Sequence, residues 1–500
     1  MLHRFGRRLS GRGLVDKQIF STVRSATPIG ATLTTIRYND SNSVLPYPSS
    51  LSSQWSHRPG SFHTSSLSSS SHPGPKKSSG TYLVASIPVE SIGKLEPSQL
   101  IQIRDQPFPT GAPSSNQVLI QVAAATVNPI DTMICQGYGR NLVPLASQVM
   151  DVATPMSERL TEDNNISIGR EGSGRIIQVG SGVWDLQVGD HVWFAPSIAN
   201  SAFGEFLTIS RNEVSRAPKQ LNHIEAATHP FAITTAWTAL VNCAGLTPTP
   251  LEGRSHEEHH SDITGAISRA GNKILNKVES VPLLRPLAER LHSLCPIHLS
   301  SDAPKRAVIH GASGQVGLAA VQLLQHWGYE VYATTNTATR ESLDKLKEKQ
   351  SKSQPSAADN LHIINTEEDS IESIVSPRSI AVFLDGVGGD STFKSALPLM
   401  VESGQFVTLR GDGVKMTDEK GLLQGAVTGS HKQLSREGGN SFGMCVCWCH
   451  SIFYFFVVDF VLLSGAHLLS AKSQAAEYGV NYSWAVNRPI GESLEYVVSR

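Results

Sequence analysis

Excess charge of either sign is missing from this sequence: 42 lysines and arginines face 43 aspartates and glutamates, for a net charge of −1. That balance removes the electrostatic basis for nucleic-acid binding. Cysteine is scarce too, with six in 500 residues and three of those crowded at Cys445, Cys447 and Cys449. Such a set builds no disulfide framework and fits a reducing compartment. Acids are nearly absent from the first forty positions, where Asp16 alone precedes Asp40 among six arginines and one lysine. An Arg-rich, Ser/Thr-rich, acid-poor leader reads as a mitochondrial transit peptide over residues 1–40. Residues 41–80 have few apolar side chains and are dominated by Ser, Pro and Gly, so they cannot bury a core and read as linker. Long hydrophobic runs are missing as well, Ile452–Leu469 apart.

What is there is an ordinary globular composition, 40% hydrophobic and 17% charged, with length for two or three domains. From Tyr82 to about residue 215, short apolar runs (QVLIQVAAATV, GRIIQV, DHVWFAP, GEFLTIS) are bounded by Gly, Pro, Asn or Asp. This punctuation predicts an antiparallel, barrel-like domain. IEAATHPFAITTAWTALVNCAGL reads as helical. Beyond it, Ala307-Val308-Ile309 predicts a buried parallel strand. Gly311, Gly314 and Gly317 follow three residues apart, then Val316, Ala319, Ala320, Leu323 and Leu324 at helical spacing. Strand, glycine turn and helix in that order suit a dinucleotide. The glycines let the backbone approach a pyrophosphate, and the helix start offers free N–H groups and the positive end of its dipole. Ala312 replaces the second glycine of the usual motif, so the context carries the reading rather than the spacing alone. Glu330–Ala333, LHIIN, AVFLDGVGG and GQFVTLRG supply further parallel strands. The class is α/β, a doubly wound parallel sheet preceded by a β-rich domain.

An Asp or Glu at the end of the second strand would accept the 2′-hydroxyl of NAD and repel a 2′-phosphate. Thr334, Thr335, Asn336 and Thr337 stand there instead, with Arg340 just beyond, which favours NADPH. Gly314, Gln315, Val316 and Gly317 are the candidates for the pyrophosphate, Ser313 beside them is a further cofactor-binding candidate, and Asn336 and Arg340 are the candidates for the 2′-phosphate. Thr366 and Val387 are candidates for the adenine and nicotinamide sides. Gln315 takes the place of a usual glycine and is compatible only with a negative φ.

Six blocks, VNPIDTMICQGYG (127–139), GREGSG (169–174), GSGVWDLQVGDHVW (180–193), HPFAITTAWTAL (229–240), HGASGQVGLAAVQLL (310–324) and FLDGVGG (383–389), stand in one order. Together they resemble the medium-chain dehydrogenase/reductase superfamily, in particular its zinc-free quinone oxidoreductase branch. The resemblance implies a GroES-like catalytic domain over 81–225 and a Rossmann NADPH-binding domain over 226–500. EVSRAPKQLNHIEAATHPFAITTAWTAL and GVNYSWAVNRPIGESLEYVV (479–498) are similar to the mitochondrial NADPH oxidoreductases linked to coenzyme Q metabolism, which implies a matrix location. The trans-2-enoyl-CoA reductases of mitochondrial fatty acid synthesis share much of the framework. Both imply hydride transfer to a quinone or an α,β-unsaturated carbonyl. A non-catalytic NADPH-binding interaction protein is the reading from another class. The family also implies a homodimer through Rossmann-domain edges and, beyond Arg500, further strands that return to the barrel.

Reduction of such an acceptor needs a hydride, a proton source and a group that polarises the oxygen. Tyr138, in the glycine-flanked QGYG turn, is the candidate donor by residue type and by resemblance, with a packed surface tyrosine as the alternative. The resemblance makes Asn128 a holder of the nicotinamide ribose or substrate, Asp131 structural and Thr235 a cofactor contact. A helix hydroxyl bonded to its own backbone is the alternative for Thr235. Arg170 stands where zinc-dependent members carry a histidine, so the imidazole ligand is gone and no catalytic zinc is expected.

Two segments fall outside the family pattern. In residues 249–304, His256-Glu257-Glu258-His259-His260 fits H-E-x-x-H, yet its polar flanks build no amphipathic helix and it reads as a solvated charge run. The following ITGAISRAGNKILNKVESVPLLRPLAERLHSL has near-helical spacing and packs on the protein by default, with a partner or membrane surface as the other readings. In residues 440–473, Ile452–Leu469 approaches the length of a membrane helix but carries Asp459 and His467, both costly in lipid. The three cysteines and His450 lack the two-residue gap of paired zinc ligands. An abrupt apolar block of this kind looks like an unspliced or mispredicted stretch, with a membrane or partner contact as the alternative.

Overall fold

The computed structural model describes residues 21–25 and 33–37 and most of 80–140, 165–248, 299–410 and 466–499. The Ser/Pro/Gly-rich stretch, the His256–His260 run and the cysteine-rich part of 440–465 lie outside the described residues, as does most of the leader. The chain forms two compact units, one taking in Thr32–Pro230 and the other Phe231–Arg488 with Glu492–Arg500.

In the first unit, β1 (Ser21–Ser25) pairs with β2 (Leu33–Arg37), which joins the main sheet by a short antiparallel contact. β3 (Thr81–Pro88) lies between β4 (Gln102–Pro107) and β6 (Asn165–Ser167) in a small antiparallel sheet. The main sheet is organised on the long β5 (Gln117–Thr126), paired antiparallel with β7 (Gly172–Val179) and β9 (Phe206–Ser210). From β7 it continues through β8 (His191–Phe194) to β10 (Val214–Arg216). Two register shifts between β5 and β7, at Leu119/Ile120 and Val122/Ala124, add local twist and help the sheet curl. Val118, Ile120 and Val122 alternate inward to meet Ile176, Phe194, Leu207 and Ile209, giving an apolar interior like that expected of a small barrel. Helix Pro129–Cys135 follows β5 after one short turn, starting at Pro129, where a fixed φ is suited to a first helical position.

The second unit contains a wholly parallel sheet of β11 (Arg306–His310), β12 (Glu330–Thr335), β13 (Leu361–Asn365), β14 (Ile380–Asp385), β15 (Met400–Thr408) and β16 (Asn481–Trp484). Its order is β13-β12-β11-β14-β15-β16. That is the 3-2-1-4-5-6 order of the Rossmann fold, and it places a reversal of direction between β11 and β14. Every residue of β14 is buried, as a strand covered on both faces should be. On one face Phe383, Phe406 and Tyr482 stack at 5.3 and 5.5 Å, with Phe393 edge-on to Phe406 at 4.9 Å. Residues 466–473, the end of the second family-breaking segment, lie in helix Ala466–Glu477, whose Ala471 and Ala475 are buried in this same core. Among the described residues no helix is long and apolar enough to cross a membrane.

Candidate functional site

The glycine turn sits at the carboxyl end of β11, where the open face of such a sheet receives ligands. Gly311 has φ 83°, a left-handed conformation that a glycine adopts without strain. Its N–H donates to Thr334 Oγ1 at 3.1 Å, and Ala312 N–H donates to the Thr334 carbonyl at 2.9 Å, which ties the turn to β12. Gly314 is the N-cap of helix Gln315–His326, with Gln315 and Val316 in its first turn. Gln315 is not among the described residues with positive φ, so the glycine it replaces is not needed. A Cβ on Gly317 would stand 2.6 Å from both Ala312 Cα and the Gly311 carbonyl oxygen. The third glycine therefore allows the helix to lie directly on the turn.

Beside this turn the hydroxyls of Ser313, Thr335 and Thr339 form a chain, with oxygen–oxygen distances of 2.8 Å (Ser313–Thr339) and 3.0 Å (Thr335–Thr339). Asn336 Oδ1 accepts from Thr339 N–H at 2.9 Å and from Thr339 Oγ1 at 2.7 Å, so its side chain caps the turn Thr337–Thr339. Thr366 donates its N–H and Oγ1 to the Thr335 carbonyl, at 2.9 and 3.2 Å. The fold thus gathers Ser313, Asn336 and Thr366 around Thr335 and Thr339. Arg340 is half-exposed and lies 3.4 Å from Asp344 one helical turn on. Val387 is 49% exposed, in the loop after β14, and its Cγ2 lies 2.9 Å from the place a Gly311 Cβ would take. Thr235 stands apart from this group in helix Pro230–Trp237. Its Oγ1 donates to the Phe231 carbonyl at 2.6 Å, as helix hydroxyls commonly do, and accepts from Asn487 Nδ2 at 2.9 Å.

Sequence reasoning missed a pair at the reversal point. His310 and Asp385 end β11 and β14 in register, with His310 Nδ1 2.9 Å from Asp385 Oδ1. The same oxygen accepts from Val387 N–H at 3.1 Å and Gly388 N–H at 2.8 Å, while Thr408 Oγ1 lies 3.3 Å from Oδ2. Burial alone would raise the Asp385 carboxyl, but the bonds from His310, Gly388 and Val387 hold it below its ordinary 3.8. Asp385 therefore fixes the loop that carries Val387. The available signal was a polar residue directly after each of two apolar runs, Ala307–Ile309 and Ile380–Leu384.

In the first unit, Asp131 lies at the centre of a buried network. Its Oδ2 accepts from Asn128 N–H at 2.9 Å and its Oδ1 from Gly169 N–H at 2.8 Å, joining the helix start to the Gly169-Arg170-Glu171 block. Burial raises the Asp131 carboxyl, opposed by the Arg170 guanidinium 3.9 Å away and by those two donors. Arg170 Nη1 donates to the Ser197 carbonyl at 3.0 Å. Asn128 Nδ2 donates to Glu171 Oε1 at 2.9 Å; Glu171 is fully buried and was also missed from sequence. Tyr138 is half-buried between Gly137 (φ 101°) and Gly139 (φ 74°), with its N–H bonded to the Met133 carbonyl at 2.9 Å. Among the described residues no group of three or more His, Cys, Asp or Glu is arranged to hold a metal.

Residues 114–215 match the alcohol dehydrogenase GroES-like domain. The chain is similar to mitochondrial NAD(P)H oxidoreductases. It is 26% identical to "NAD(P)H oxidoreductase RTN4IP1, mitochondrial" of Dictyostelium discoideum over 66% of this chain and 73% of that one. It is 28% identical to the human protein of the same name over 55% of this chain and 53% of that one. The chain thus spans from about half to three quarters of the length of these relatives. Among solved structures, the quinone oxidoreductase from Coxiella burnetii aligns over 84% of this chain and 86% of that one, at 17% identity and a TM-score of 0.45.

Proposed function

We propose that this chain is a zinc-independent, NADPH-dependent oxidoreductase of the mitochondrial matrix that passes hydride to a quinone, as in coenzyme Q metabolism, or to an α,β-unsaturated carbonyl. The observation that carries the reading is the glycine turn at the carboxyl end of β11. There Gly311 takes a left-handed φ and Gly317 lets the helix lie directly on the turn, which brings the first N–H groups of helix Gln315–His326 to the carboxyl end of the sheet. Gly314, Gln315 and Val316 would hold the pyrophosphate, and Ser313, Asn336 and Arg340 the 2′-phosphate end. Thr366 lies on the adenine side and Val387 on the nicotinamide side. The reduced nicotinamide supplies the hydride.

The remaining steps fall to this chain's own residues. Tyr138 donates the proton to the acceptor oxygen, and Asn128, oriented by Glu171, binds ribose or substrate. Thr235 supports the cofactor through its helix, with its hydroxyl turned to Asn487. Arg170 takes the position of a zinc ligand without ligand chemistry, since a guanidinium stays protonated and here donates to Ser197. The full-length chain should gain thermal stability from NADPH and oxidise it in the presence of quinones or enoyl thioesters. Tyr138→Phe should reduce turnover about 10²-fold or more, the usual contribution of a positioned acid, with NADPH binding intact. Stabilisation without turnover on any acceptor would point to a non-catalytic nucleotide-binding protein, and unchanged turnover in Tyr138→Phe would remove the donor role.

A further inference from the structure

The end of β12 carries no acid in the sequence, yet the fold brings one there from the neighbouring strand. Glu367, two residues beyond β13, places Oε2 3.3 Å from the backbone N of Thr337, whose N–H donates to it. Asn365 fixes that arrangement from both sides. Its Nδ2 donates to Thr337 Oγ1 at 3.0 Å, and its Oδ1 accepts from Glu367 N–H at 3.2 Å. Thr337 directly follows Asn336, in the turn after the second strand where a Rossmann fold distinguishes a 2′-hydroxyl from a 2′-phosphate. The cation offered at this end, Arg340, lies against Asp344 at 3.4 Å, so its charge is partly compensated.

We infer that Glu367 sets coenzyme choice in this chain. Its carboxylate accepts the ribose 2′-hydroxyl of NADH and repels the 2′-phosphate of NADPH, so both coenzymes bind and neither is strongly excluded. The acid found at the end of the second strand in NAD-binding folds is thus delivered here from the end of the third. This inference rests on the dinucleotide reading above, with NADPH still a ligand.

The test is titration of the full-length chain with NADPH and with NADH, followed by nicotinamide fluorescence, for wild type, Glu367→Gln and Glu368→Gln. Glutamine keeps an acceptor for Thr337 N–H and removes the charge, so NADPH should bind severalfold more tightly and NADH no better. The ratio of the two dissociation constants should move about tenfold towards NADPH, the size of one removed like-charge contact near a surface. Glu368→Gln makes the same change in net charge one residue away but leaves the Glu367 carboxylate on Thr337 N–H, and should move the ratio less than about twofold. A ratio that stays within twofold in Glu367→Gln, or moves equally in both variants, overturns the role of Glu367. Wild type that binds neither nucleotide overturns the dinucleotide reading itself.

Discussion

Gly317→Ala sets two opposing effects against each other, and the structure decides the sign. Replacing glycine by alanine inside a helix ordinarily stabilises by up to about 1 kcal/mol, since alanine loses less backbone freedom. Gly317 is the third residue of helix Gln315–His326, and the new methyl would lie 2.6 Å from Ala312 Cα and from the Gly311 carbonyl oxygen. Both obstacles are backbone, so no rotamer change relieves them and the helix must shift away from the turn. Overpacking of that kind costs about 1–3 kcal/mol. With the middle of that range, about 2 kcal/mol, set against a gain of up to about 1 kcal/mol, the net expectation is a loss of about 1–2 kcal/mol, which for a unit of this size lowers Tm by roughly 2–8 °C. Gly314→Ala is the matched control: φ there is −74°, and its Cβ would meet only the Gly311 oxygen at 3.5 Å. That variant exchanges an N-cap glycine for alanine without a clash and should cost about 0.5–1 kcal/mol, less than Gly317→Ala. Thermal unfolding of the full-length chain followed by circular dichroism measures both. A Gly317→Ala protein as stable as wild type, or more so, would refute the close helix–turn contact.

Asp131→Ala should destabilise the first unit by about 3 kcal/mol or more. It leaves the buried Asn128 and Gly169 N–H groups without their acceptor, at about 1–3 kcal/mol each, and removes the carboxylate facing Arg170. Urea titration checks this, and a midpoint unchanged from wild type would count against the network. Ser173 Oγ, fully buried, lies 3.0 Å from His191 Nε2 and 2.9 Å from His223 Nδ1 while donating to the Val192 carbonyl at 2.8 Å. Burial, with Arg175 nearby, holds His191 below its ordinary 6.5. The unfolded chain therefore binds the proton first, so this contribution is complete above about pH 6.5 and fades as pH falls through it. His191→Gln should flatten the change in Tm between pH 7.5 and 5.5, and an undiminished slope would show that His191 does not supply it.

The parallel sheet was legible because burial on both faces demands short continuous apolar runs, and LHIIN coincides with β13 residue for residue. β16, the strand Asn481–Trp484, escaped the same reasoning: NYSW has no apolar run, and only Tyr482 turns into the aromatic stack. The glycine turn could be located from spacing, whereas Glu171, His310 and Asp385 could not. Their importance comes from partners 43 and 75 residues away along the chain, which periodicity does not register. The absent acid after β12 shows the same limit, because a position empty in one strand is supplied by its neighbour through Glu367. Asp131 was legible as structural; the buried guanidinium beside it became meaningful only once Gly169 N–H was seen on the same carboxylate.

The strand order also has a consequence for how the chain is made. Among the described residues β15 receives its outer partner from Asn481–Trp484, although Thr408 has already ended β15. At typical rates of synthesis the roughly seventy residues between them take about 4–15 s to emerge. Until then the N–H and C=O groups of β15 that pair with Asn481–Trp484 lack that partner, and an unpaired strand edge is the kind of surface that pairs with other chains. The described parallel sheet is therefore completed only with β16, and a holding chaperone would find its substrate in the gap between β15 and β16.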